Sequence, residues 1–283
     1  MIKNLFFKTV FLTSLVACFY FISCNKSVRD NDNETQSSQD FTTAEFMFGD
    51  LFTQMDVVSS VQADVNRPNP PANTVASSCA TVTVNPALPN PTYPKTMTLN
   101  FGTTDCIGPD GVKRRGILTI VFSGKYRTAG TVITISTNNY HINDYSVQGT
   151  ETLTNMGLNS NNNPYYTENI SNGIITTPTG GIIDWQAQCT REWTAGSATP
   201  IVITDDVYLI RGNITGSSTT GNTFSASILN PLQLTNGCRY VESGIVQMTP
   251  LHLSTRNIDY GSGACDNLAT VTINGVNYNI TLN

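Results

Sequence analysis

From residue 79 onward, apolar and polar residues alternate along the chain. The last stretch is the clearest: Val276, Tyr278, Ile280 and Leu282 alternate with Asn277, Asn279, Thr281 and Asn283. Successive side chains on a strand point to opposite faces, so this pattern predicts a strand with one buried and one wet face. Similar stretches at 96–102, 116–124, 131–137, 145–154, 182–194, 201–212, 223–229 and 239–249 predict further strands. Asp110-Gly111, Asn172-Gly173, Asn236-Gly237 and Asn274-Gly275 mark turns, because Asn, Asp and Gly tolerate positive φ. Residues 156–166, "MGLNSNNNPYY", read as a long polar loop. Strand after strand with short turns predicts an all-β fold of antiparallel sheets, meander- or sandwich-like.

One segment breaks the two-residue period. In residues 41–65, Phe48, Leu51, Phe52, Met55, Val58 and Ser59 recur at three- and four-residue intervals. Thr42 and Glu45 stand at capping-box spacing. The spacing predicts an N-terminal helix over 43–63, packed on the β-domain. "RPNPPAN" (67–73) would end it, because proline cannot continue a helix.

An internal repeat bears on the cysteines. Residues 79–124 align without a gap on 238–283, and "LNFGTTDC" meets "IDYGSGAC". Cys79, Gly102 and Cys106 fall on Cys238, Gly261 and Cys265. This predicts two related β-modules, each closed by its own disulfide, Cys79–Cys106 and Cys238–Cys265. Closing loops of this length is worth roughly 3–4 kcal/mol in the chain-entropy model. Other pairings stay open, because sequence alone does not fix connectivity. Ser262, which aligns with a plain turn in the first module, reads as a turn residue rather than a nucleophile. Cys189 is left over. It shares a strand face with Ile183, Trp185, Ala187, Arg191 and Trp193, and reads as a small buried hydrophobe.

Residues 1–24 read as an exported signal: Lys3 and Lys8 precede an apolar run that is short for a membrane span. The run ends at Ser23-Cys24. Here the chain resembles bacterial lipoproteins, whose signal ends just before a cysteine that becomes the lipidated N-terminus. The resemblance implies lipidation at Cys24. A rival box ends at Cys18, but cleavage there would leave "FYFIS" exposed beside the anchor. Residues 25–40 are polar and read as a tether, followed by a single β-rich domain over 41–283. The acidic, Asn-rich start of the tether resembles the export signal of surface lipoproteins of the Bacteroidetes. The "FGTxxC" and "YGSGAC" segments likewise resemble exported lipoproteins of that group. The resemblance implies an outer-membrane protein, displayed on the cell surface or on the periplasmic face.

Composition narrows the partners. The net charge of −5 becomes −7 without Lys3 and Lys8, and charged residues make up 12% of the chain, so nucleic acid is not expected. His141 and His252 stand far apart, no metal-ligand spacing is present, and no cofactor or catalytic set is predicted. The expected role is a non-enzymatic binding or structural module, attached to the membrane by lipid and facing a glycan or another surface protein. The alternative is a glycan-binding or glycan-processing protein. Trp185 and Trp193 read as core, and Tyr140, Tyr145, Tyr165 and Tyr166 as the aromatics free to face a ligand.

Overall fold

The computed structural model describes residues 32–62, 80–199 and 202–282, without the side chains of 60–62. Cys24, Cys79 and the proline-rich segment lie outside the described residues. A single helix, α1 (Gln36–Gln62), comes first. Five strands follow: β1 (Thr81–Asn85), β2 (Lys95–Asn100), β3 (Cys106–Ile107), β4 (Lys113–Phe122) and β5 (Val132–Ile142). Next are β6 (Tyr145–Leu158), β7 (Pro164–Thr176), β8 (Ile182–Ala195), β9 (Val207–Ser217) and β10 (Thr223–Thr235). The last four are β11 (Ser243–Pro250), β12 (Arg256–Ser262), β13 (Leu268–Ile273) and β14 (Val276–Thr281).

All fourteen strands belong to one antiparallel meander, in which each strand pairs with the next. The short β3 alone leaves that order and pairs with β4 from the side. The expected alternation is realised: β11 and β13, for instance, bury every second residue. Asn274-Gly275 forms the β13–β14 turn, with positive φ at both residues as a two-residue hairpin requires.

The sheet curls around α1. Side chains of the helix meet β4 through Asp50 and Arg114, β5 through Asp50 and Tyr140, and β8 through Phe41 and Trp185. They meet β9 through Asp56 and Tyr208, β10 through Phe41 and Phe224, and β14 through Gln39 and the Thr281 carbonyl. Phe41, Met47, Phe48, Leu51, Phe52 and Met55 are all buried along one broad stripe, and Thr42, Thr43, Asp50, Asp56 and Val57 are buried on the other sides. A helix buried on all sides must be enclosed on all sides, and its polar residues there need partners. A 27-residue helix is about 40 Å long, and the 14-residue strands β6 and β8 are of similar length.

The helix crosses the strands closely. Gly173 in β7 faces Phe48, and a Cβ there would lie 2.5 Å from the Trp185 carbonyl oxygen and 2.8 Å from the Phe48 ring. Asn172-Gly173 is therefore no hairpin turn. It is a bulge inside β7, with Asn172 at φ 52°, that makes room for the aromatic ring.

The helix starts earlier than its spacing suggests. Thr42 is not its cap: its hydroxyl donates to the Gln39 carbonyl, one turn inside the helix. Glu34 covers the first turn instead, its carboxylate accepting from the Ser37 amide at 2.7 Å. Residues 32–40 are accordingly not tether. Asp32 and Glu34 both pair with the buried Arg256 of β12, each at 2.8 Å. The polar look of this segment reflects matching to a buried cation rather than solvation.

The repeat is seen in its central segment. Leu99 and Ile258 are fully buried, and Phe101 and Tyr260 nearly so. Asn100 and Asp259 each accept from the amide of the following glycine, Gly102 and Gly261, at 2.8 and 2.9 Å. Both glycines take positive φ, 83° and 90°. Beyond the second cysteine the copies diverge: β2 pairs directly with β4, whereas β13 is inserted between β12 and β14. Cys238–Cys265 is a disulfide linking the β10–β11 and β12–β13 loops. Cys106 is disulfide-bonded too. Ser262 is exposed and pairs with Ser243 across the sheet, as a strand-end residue does.

Asp50 lies in a buried network, accepting from Arg114 Nε at 3.0 Å and from the Tyr140 hydroxyl at 3.1 Å. Removing one partner of a buried pair strands the other charge, typically at 3–5 kcal/mol. Asp50→Ala should lower unfolding free energy by about that amount in urea titrations. A loss below about 1 kcal/mol would show that the helix does not depend on this pairing.

Candidate functional site

α1 carries four carboxylates and no basic residue: Asp40, Glu45, Asp50 and Asp56. Three of them are matched. Asp40 accepts from the Thr219 amide and hydroxyl, both at 2.7 Å. Asp50 is held by Arg114, whose other side is tied to Asp110. Burial works most strongly against the charge on Arg114, but the Asp50 and Asp110 carboxylates together with Tyr140 outweigh it and its pKa is raised. Asp56, fully buried, accepts from the Tyr126 hydroxyl, from Tyr208 at 3.0 Å and from the Asn236 amide at 3.0 Å.

Glu45 is the exception, with neither a hydrogen bond nor an ion pair among the described residues. It faces a cavity of about 110 Å³ between α1 and the loop joining β10 to β11. Arg191, Arg239, Tyr208, Tyr240 and Tyr260 share that cavity with it. Arg191 is committed to Glu168, through Nε at 3.0 Å, and stacks 4.0 Å from the Phe52 ring. Arg239 has no carboxylate partner among the described residues. Its guanidinium lies over Phe46 at 5.1 Å and Tyr240 at 5.5 Å, and its Nε donates to nothing. The Tyr260 hydroxyl is buried without a partner as well. A buried donor left unpaired costs about 1–3 kcal/mol, and three polar groups without a hydrogen-bond partner among the described residues meet at this cavity.

The electrostatics follow from burial. Desolvation pushes the Glu45 carboxyl up to about 7, with Arg191 opposing and Glu168 adding to the rise. Burial, then the nearby Glu45, raises Tyr260 well above the ordinary phenol range, so it remains a donor. Glu151, deeper in the same region, has both oxygens unpartnered. Burial and then Glu168 push its pKa far up, which favours the neutral acid. Burial also raises the Cys189 thiol, with Glu168 adding to it, so this part-buried cysteine, outside the cavity lining, stays protonated.

The disulfide positions the site. Cys238 precedes Arg239, and its bond to Cys265 ties the β10–β11 loop to the segment that follows Tyr260. Two groups that face the cavity are therefore held by one covalent link.

The tyrosines expected to face a ligand do not form a site. Tyr140 is fully buried and bonded to Asp50, and Tyr166 is 1% exposed. Both point into the core because their strand positions fall on the inner face, which proximity to a turn does not reveal. Tyr145 and Tyr165 are part-buried. They stand near opposite ends of the β6–β7 ladder, about 30 Å apart at strand spacing. Trp185 and Trp193 lie in the core as expected, at 2% exposure each, and offer no sugar-stacking platform. Among the described residues, no three His, Cys, Asp or Glu side chains converge as a metal site needs.

No family model, curated protein or solved structure matches the chain. The site therefore rests on its own geometry. Its residues were not singled out by motif. Their signal in the sequence is an apolar helix with four acids and no base, with Glu45 the one lacking a mate.

The raised carboxyls make stability depend on pH. Glu45 and Asp206 hold their protons to about pH 7 in the folded chain, Asp206 through burial and then the Asp56 charge. Unfolded carboxyls release theirs near pH 4. Folding takes up protons between those values, so this contribution is complete at about pH 4 and is lost as pH rises toward 7. Melting temperature should fall from pH 5 to pH 7.5, and Glu45→Gln should make the fall shallower. A melting temperature that is flat or rising over that interval would contradict the assignment.

Proposed function

We propose that the chain is an envelope lipoprotein, acylated at Cys24, whose curled sheet serves as a binding module. The cavity beside Glu45 carries the binding part of this reading, because its unmatched polar groups are what a ligand would satisfy. Among the described residues the interior beside this cleft is filled by α1, so binding falls to the cleft rather than to an open lumen.

The anchoring part is supported by the signal-like residues 1–24 and by the clamp on Arg256. Asp32, the first described residue, is already fixed to the domain, eight positions after Cys24. Eight residues span at most about 26–29 Å. An acylated Cys24 would therefore keep the domain close to the bilayer, either on the cell surface or on the periplasmic face of the outer membrane. α1 itself is not a span: among the described residues, no helix is long and apolar enough to cross a membrane.

Labelling with radioactive palmitate tests the anchor. The wild-type chain should take up label and sediment with membranes, and Cys24→Ala should lose both properties. Label retained in Cys24→Ala but lost in Cys18→Ala would move the anchor to the rival box. No label in the wild type would overturn the reading.

A further inference from the structure

We propose that the chain pairs with a second copy of itself through the free edge of β14, about a two-fold axis that passes through Tyr278. This goes beyond the binding reading above and rests on neither the cleft nor the anchor.

β14 ends the meander and pairs with β13 on one side; no strand lies on its other side among the described residues. Native sheets guard such edges with charge, proline or a bulge. β14 reads VNYNIT, without charge or proline, and its register with β13 runs unbroken from Val276 to Thr281. The opposite edge, β1, is also uncharged, but it is shorter and ends against Pro86.

The hairpin sets which backbone groups point outward. Ile273 and Val276 flank the two-residue turn and form a hydrogen-bonded pair, and such pairs alternate along an antiparallel ladder. The even-numbered residues of β14 therefore spend their amides and carbonyls on β13, and Asn277, Asn279 and Thr281 turn theirs outward. Two bonds follow this alternation. The Leu282 amide donates to the Asn267 carbonyl beside β13 at 2.7 Å, and the Thr281 carbonyl accepts from Gln39 of α1 at 2.6 Å. The amides and carbonyls of Asn277 and Asn279 are left for a partner.

The side chains select that partner. In an antiparallel pair centred on Tyr278, Tyr278 meets Tyr278 of the second copy, Asn277 meets Asn279, and Val276 meets Ile280. Each residue meets its own kind, so one strand supplies both halves of the contact, as an isologous two-fold requires. Asn277 and Asn279 then form a hydrogen-bonded pair on each side of the axis. A centre at Asn279 would set Asn277 against Thr281, whose carbonyl is taken, and a centre at Asn277 would run into Gly275 of the turn. The pairing also covers apolar surface that the edge leaves open. Val276 is 48% exposed and Tyr278 half-buried, although both share the face on which Ile280 and Leu282 are buried. With about six residues a side, against the 20–30 of a standard interface, the dimer exchanges with monomer.

Oxidative crosslinking of the full chain in a mild detergent tests the proposal. Across the axis the two Tyr278 positions form a non-hydrogen-bonded pair with Cα atoms about 4.5 Å apart, within reach of a disulfide. Each Asn277 or Asn279 faces its own copy out of register, at roughly 7–8 Å, where a disulfide does not form. Tyr278→Cys should therefore give on the order of tenfold more covalent dimer than Asn277→Cys or Asn279→Cys. The wild type, in which Cys189 is the free cysteine among the described residues, sets the background. In sedimentation, the wild-type mass should rise with concentration from one chain toward two. Asn279→Pro removes an outward amide and leaves the β13 ladder intact, so it should stay monomeric. Circular dichroism identifies a variant that has not folded, and the wild-type mass with the pattern over the three cysteine positions decides the matter without the proline. A wild type that stays monomeric, equal trapping at all three positions, a dimer that persists in folded Asn279→Pro, or a mass that grows past two chains would each overturn the proposal. None of these results touches the anchor or the cleft.

Discussion

The fold depends on enclosing a helix that carries four carboxylates inside a β-sheet. Burying an ionised group without a partner costs far more than a helix gains from packing its apolar faces. Each acid must therefore meet a donor from the sheet, be kept neutral, or meet something else. Asp40 meets the Thr219 turn, Asp50 meets Arg114 and Tyr140, and Asp56 meets Tyr126, Tyr208 and Asn236. These donors come from segments between β4 and the β10–β11 loop, so their pairing fixes the register of the helix against most of the meander. Apolar packing supplies the bulk of the stability, and the carboxylates specify where the helix sits.

Much of the architecture was legible because strand alternation is a local property. The 2.0-residue period of 276–282 and the Asn274-Gly275 turn predict β14 and its hairpin directly. The curl of the sheet was not legible, because it depends on long-range packing around α1. Nor was the start of the helix: Thr42 and Glu45 have capping-box spacing by coincidence, and the true first turn is capped by Glu34. β7 was hidden in the same way. Asn172-Gly173 has the composition of a turn, yet close approach of Phe48 uses the glycine within a strand. The tether reading of 32–40 failed because its partner, Arg256, lies more than two hundred residues away.

The cleft follows from the same constraint. Glu45 sits where the helix passes the β10–β11 loop, and the acid there has no mate in the sheet. Burial raises its pKa instead. Arg239 and Tyr260 bring unmatched donors to the same space, and the Cys238–Cys265 disulfide holds their segments together. The repeat explains how this arose locally. The two copies share the turn after Phe101 and Tyr260, but only in the second does that aromatic residue carry a hydroxyl, and it faces the cavity.

Native-state hydrogen exchange on α1 tests the central claim most directly. If the sheet encloses the helix, amides over residues 41–58 open only with global unfolding. Their exchange free energies should equal those of β5 to β8 and fall with denaturant at the same slope. Helix amides that exchange through a separate opening, several kcal/mol below the strands, would mean that the helix is an appendage and the sheet stands without it.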